Sequence, residues 1–141
     1  MKFVKLILGL ALILFCGHLI NTWSLTGEKN NYVHIKIQYP NDLTSLTIKK
    51  VPESKCANQL SSNVEEGMSK CEGCTVETQE CLAEVPANLS GIFENETLAF
   101  PYVSLDFKYP ERHALIGLQE GDFEKFCGFF QKKHEVAICV Q

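Results

Sequence analysis

The chain has 141 residues, 45% of them hydrophobic and 21% charged, with 13 Lys and Arg against 17 Asp and Glu. A net charge of −4 with no basic run excludes a nucleic-acid footprint and gives anionic lipid headgroups nothing to bind. No G-x-S-x-G, H-E-x-x-H or glycine-rich phosphate loop occurs, so the familiar hydrolase, metalloprotease and nucleotide sites are not indicated.

Residues 3–20, FVKLILGLALILFCGHLI, form one apolar run behind Lys2 and Lys5, closed by Asn21-Thr22-Trp23. Lysines ahead of such a run keep the N-terminus cytoplasmic and send the rest of the chain across the membrane. A cleavage site needs small residues, yet Phe15 or Leu14 occupies the outer position, and Phe15 also spoils a lipoprotein site at Cys16. The stretch from Leu6 to Ile20 is short against the roughly 20 residues of a full span, but Lys5 can snorkel and Trp23 suits the far interface. A single-pass anchor is therefore favoured over a removed signal peptide. Residues 1–23 read as signal-anchor or signal peptide, and residues 24–141 as a single extracytoplasmic domain, periplasmic or of the secretory pathway.

Two basic residues lie in the leader, so residues 24–141 carry 11 bases against 17 acids, a charge of −6. Between Glu53 and Glu96 there are nine acids and two lysines, which read as a solvated face.

Along this domain, Val33, Ile35, Ile37 and Tyr39 alternate with polar residues, which predicts a half-buried strand over Tyr32–Tyr39. Ser45–Val51 is a weaker strand. From Ser54, a candidate N-cap, Cys56, Leu60, Val64 and Met68 fall four apart, which predicts a helix with Gly67 as its weak point. On that helix Cys56 and Cys71 lie about 60° apart around the axis and both face the core.

Thr75–Glu80 is a short strand, followed by a long loop through Pro86, Gly91 and Asn95. Tyr102–Tyr109 alternates again, and His113–Gln119 pairs with it as a hairpin. Phe123, Phe126, Cys127 and Phe130 form the core stripe of a second helix capped by Asp122. Val136–Val140 closes the chain as a strand inserted in the sheet. Without the weaker elements the order is approximately βαββαβ. It predicts a small α+β two-layer sandwich, with helices on one face of a mainly antiparallel sheet, stapled by disulfides behind an N-terminal membrane segment.

The cysteines available for staples are Cys56, Cys71, Cys74, Cys81, Cys127 and Cys139, an even set suited to an oxidising compartment. Cys127 and Cys139 should meet across a helix–turn–strand reversal. Cys56 goes with Cys74 or Cys81, and Cys71 with Cys81 or Cys74; the pairing Cys56–Cys74 with Cys71–Cys81 is preferred. A redox reading of Cys71-Glu72-Gly73-Cys74 is disfavoured because the motif closes a helix, where the dipole opposes a thiolate. Four thiolates at Cys56, Cys71, Cys74 and Cys81 could hold Zn²⁺, but disulfide formation competes, so no metal and no cofactor is expected.

His34, His113 and His134 read as surface or boundary residues. Asn88-Leu89-Ser90 and Asn95-Glu96-Thr97 are sequons in the long loop. These features predict a non-enzymatic, membrane-anchored interaction or accessory module of an envelope assembly. The partners would be the membrane, through residues 3–20, and a protein of the envelope. The alternatives are a small-ligand or carbohydrate-binding domain, with Phe93, Phe100 and Tyr102 lining a cleft under the loop, and a thiol–disulfide oxidoreductase through Cys71 and Cys74.

Overall fold

The structure is a computed structural model that describes residues 27–119 and 121–141. The apolar run at 3–20, Cys16 and the boundary at residue 23 lie outside the described residues. Among the described residues no helix is long and apolar enough to cross a membrane.

The chain forms an α+β domain on a six-stranded, fully antiparallel sheet. Its strands are β1 (Asn30–Gln38), β2 (Thr44–Pro52), β3 (Thr75–Leu82), β4 (Tyr102–Leu105), β5 (Glu111–Ile116) and β6 (Ala137–Val140). Among the described residues two α-helices, α1 (Cys56–Ser69) and α2 (Asp122–Lys133), accompany it, and the spatial order is β3-β1-β2-β5-β4-β6. The element order is thus ββαβββαβ, the full run of predicted elements with the weaker strands kept, and not the shortened βαββαβ. The weak strand over Ser45–Val51 is a nine-residue strand in the middle of the sheet, paired along its length with β1 and β5. It is hard to recognise because its two faces meet different surroundings, and only Leu46 and Ile48 mark the apolar one.

Strand alternation sorts side chains onto two faces. On the first, Val33, Ile35 and Ile37 of β1 pack beneath Leu60, Val64 and Met68 of α1. Val103, Leu105 and Ala137 pack beneath Phe123 and Cys127 of α2 on the same face. On the second face, Leu46, Ile48 and Ala114 are covered by the loop at 83–101 through Leu89 and Ile92. Both helices therefore share one face, and the long loop roofs the other.

Helix α1 runs through Gly67 without a break because the glycine permits close approach: a Cβ there would lie 2.7 Å from Ile37 Cδ1. Ser54 does not cap it. A single 3₁₀ turn, Glu53–Lys55, precedes α1, and the Ser54 hydroxyl bonds the carboxylate of Glu28. Asp122 is not a cap either. It is the first residue of α2 and binds Lys125 at 2.8 Å, while Gly121, with φ of 86°, turns the chain into the helix. Strand β6 pairs only with β4 and forms an edge instead of inserting.

Three disulfides hold the domain: Cys56–Cys81, Cys71–Cys74 and Cys127–Cys139. The last is the pairing the sequence indicates. The preferred Cys56–Cys74 and Cys71–Cys81 pairings do not form, for a reason of length. Fourteen residues of helix carry the chain about 21 Å from Cys56, and β3 then brings it back, so the first cysteine meets the last. Cys71 and Cys74, adjacent across the intervening turn, close on each other.

Candidate functional site

Among the described residues, helix α1 covers β1 and β3 and α2 covers β4 and β6, which leaves the central pair β2 and β5 without a helix above it. A groove between two splayed helices results, and its floor is the first face of the two central strands. The register sets Lys49 opposite Glu111, Thr47 opposite His113 and Ser45 opposite Leu115. Five of these six residues are polar, whereas the opposite face of the same strands presents Leu46, Ile48, Ala114 and Ile116.

The four polar residues at the centre form one connected chain. Thr47 Oγ1 and His113 Nδ1 are 3.2 Å apart, His113 Nε2 lies 3.4 Å from Glu111 Oε1, and Lys49 Nζ lies 3.1 Å from Glu111 Oε2. Both charged members are largely buried, with 18% of each side chain exposed. Burial by itself would raise the Glu111 pKa. The hydrogen bond and charge of His113, together with Lys49, overcome it and hold the carboxyl at about 2.

Beside the Thr47–His113 pair the groove deepens into a cavity of about 350 Å³. Ile37 and Leu115 form its apolar base, Phe126 and Phe130 one wall, and Asn63 and Gly67 the other. Phe130 stacks over His113 with centroids 5.1 Å apart, and Phe126 meets Phe130 edge-on at 5.2 Å. Further along the two helices Lys70 binds Glu66 at 2.6 Å, and Lys133 lies over the ring of Phe129 at 4.3 Å.

Of the aromatic residues expected to line a cleft under the long loop, Phe100 lines a cavity of about 760 Å³ with Leu98, Pro101 and Phe123, while Phe93 and Tyr102 pack inward. Tyr102 is fully buried, and its hydroxyl donates to Glu96 O at 2.8 Å. Phe93 packs on Tyr32 and on the guanidinium of Arg112. Phe100 packs against the same core cluster. These residues hold the loop down.

Arg112, 1% exposed, anchors that loop. Its Nε donates to Ile92 O at 2.9 Å, one terminal nitrogen donates to Phe93 O at 3.2 Å, and the other pairs with Asp106 at 2.9 Å. In sequence it follows the turn at Pro110 and reads as a surface charge; only its alternation with Ala114 hints at burial. His34, read as a boundary residue, is 93% buried, with Nδ1 on Glu80 at 2.9 Å.

The cysteines of the C-x-x-C motif follow the C-terminus of α1 and are bridged to each other. Cys56 and Cys81, bonded together, complete the four that could have held zinc. Among the described residues no cluster of three metal-ligating side chains forms. Asn88 is exposed on the outside of the loop, and the Asn95 side-chain oxygen is buried. No protein-family model matches the chain, and no curated protein or solved structure shows significant similarity to it.

Proposed function

We propose that the chain is a non-enzymatic binding domain working outside the cytoplasm as an accessory part of an envelope assembly, and that it engages its target in the groove between α1 and α2. Residues 3–20 serve as its membrane anchor or export signal in this reading. Three disulfides agree with an oxidising compartment.

The observation that carries the reading is the uncovered pair of central strands. A small domain gains most from covering its sheet centre, yet here both helices stand aside over a half-buried, mutually satisfied polar chain. Such a floor offers donors and acceptors in fixed positions, next to an apolar cavity, as ligand sites do.

Catalysis finds less support. Thr47, His113 and Glu111 follow the order of hydroxyl, imidazole and carboxylate. However, Thr47 sits inside two strand ladders, so neighbouring backbone N–H groups are engaged and no pair of donors faces a developing oxyanion. The thiol reading is weaker still, because the bridge follows a helix C-terminus, where the dipole disfavours the thiolate.

A photo-crosslinking amino acid at position 63, in the groove wall, tests the reading in cells that export the chain. The expected result is a discrete crosslinked adduct from position 63 and none from position 88 on the opposite face. No adduct at 63, or equal labelling from both positions, overturns it.

A further inference from the structure

Resting on the groove as the binding surface, we infer that the cavity at its centre takes a neutral, hydroxylated ring, that is, one residue of a carbohydrate. Three features of the cavity point to this chemistry.

The first is charge. Lys49 and Glu111 neutralise each other, and both nitrogens of His113 are engaged, one with Thr47 and one with Glu111. Outside the cavity lining, Glu66 is paired with Lys70. Among the described residues that line the cavity none carries an unpaired charge, so burying a ligand charge here would be costly.

The second feature is the pairing of walls. Phe126 and Phe130 present apolar surface on the α2 side. Ser45 on the floor brings a hydroxyl and Asn63 on the α1 side a carboxamide that both donates and accepts, beside Thr47 and His113, which keep each other as partners. A ring with one apolar face and hydroxyls around its edge meets both kinds of surface at once. A plain aromatic side chain of a protein partner would bury the Ser45 hydroxyl and the Asn63 carboxamide without giving either a partner.

The third is size. At about 350 Å³ the cavity lies at the lower end of the range for small-molecule sites, about 300–1,000 Å³. One turn of a partner helix, about 10 Å across and 5.4 Å long, already exceeds it.

The test is titration of the isotope-labelled, disulfide-intact protein with a panel of neutral hexoses, N-acetylhexosamines and their β-linked disaccharides, followed by amide shifts. The expected result is saturable shifts at Thr47, His113 and Leu115, with roughly millimolar affinity for a single ring and tighter binding of a disaccharide. Asn63→Ala should weaken binding, and Ser45→Leu, which fills the floor, should abolish it while the amide spectrum stays folded. A hexuronic acid should bind more weakly than its neutral parent.

No saturable shift from any panel member overturns the carbohydrate assignment, as does binding unaffected by Ser45→Leu. If the panel fails while position 63 still crosslinks to a protein, the groove remains the docking surface and its ligand is a polypeptide. If both fail, the groove reading falls with it.

Discussion

The ring of Phe130 lies over the imidazole of His113, 5.1 Å between centroids and 26° from parallel. This contact ties α2 to the central strands, which the helix otherwise leaves uncovered. Because His113 also meets Thr47 and Glu111, Phe130 holds the polar chain of the groove floor in register. The pair should therefore be energetically coupled. A double-mutant cycle with Phe130→Leu and His113→Ala, measured by urea unfolding, is expected to give a coupling of about 0.5–1.5 kcal/mol. A value near zero would mean that the two rings merely share a space.

Glu111 makes the domain acid-sensitive in a definite window. Its carboxyl titrates at about 2 in the folded protein against an ordinary value of 4.5, so folding binds fewer protons there. The group's contribution is fully present above the unfolded value and is lost as pH falls from about 4.5 to about 2. Each unit of such a shift corresponds to about 1.4 kcal/mol, less some screening because Glu111 is not fully enclosed. Unfolding free energies measured across this range should fall more steeply for the native chain than for Glu111→Gln. The variant should also be the less stable at neutral pH, where Lys49 and His113 lose their shared acceptor. Parallel pH profiles for the two proteins would contradict the role assigned to this carboxylate.

Much of the fold could be read from residue periodicity, since Val33, Ile35 and Ile37 at period two and the four Phe123–Phe130 stripe positions mark strand and helix directly. The β2 strand was harder because Thr47 and Lys49 face a groove that exists only after two distant helices have taken their places. The site was hidden for the same reason. His113, Glu111, Lys49 and Thr47 come from two strands more than sixty residues apart in sequence, and only the register of β2 with β5 assembles them. Cysteine connectivity is only partly legible: spacing brings Cys127 to Cys139 but leaves Cys56 open between Cys74 and Cys81 until the helix and the strand after it are in place. A 14-residue helix followed by a returning strand requires Cys56 to meet Cys81, and helix length alone excludes Cys74.

Arg112 makes the integrity of the loop roof depend on one side chain. Its guanidinium supplies donors to the carbonyls of Ile92, Phe93 and Glu111 and pairs with Asp106, all within 3.2 Å. Arg112→Met fills similar volume but orphans those carbonyls, and a destabilisation of about 3–5 kcal/mol is expected. Limited proteolysis should report it as new cleavage within residues 83–101 before the rest of the domain opens. Cleavage spread evenly over the chain would show that Arg112 supports the whole fold and not the loop in particular.

The three disulfides should differ in what they contribute. Cys56 and Cys81 are 25 residues apart and join the start of α1 to the end of β3, whereas Cys71 and Cys74, three apart, close only a turn. In the chain-entropy model the longer loop constrains the unfolded chain more, by roughly 1.5–2 kcal/mol. Cys56, 2% exposed, also lies deeper in the core beneath α1 than Cys74, 8% exposed, so its removal opens the larger void. The double variant Cys71→Ser with Cys74→Ser should therefore fold with a modest drop in stability, while Cys56→Ala with Cys81→Ala should lose substantially more. Denaturant midpoints for the two variants decide the matter. Equal losses would mean that the short bridge holds β3 against α1 beyond its own turn, giving the C-x-x-C segment a larger structural role than its loop length provides.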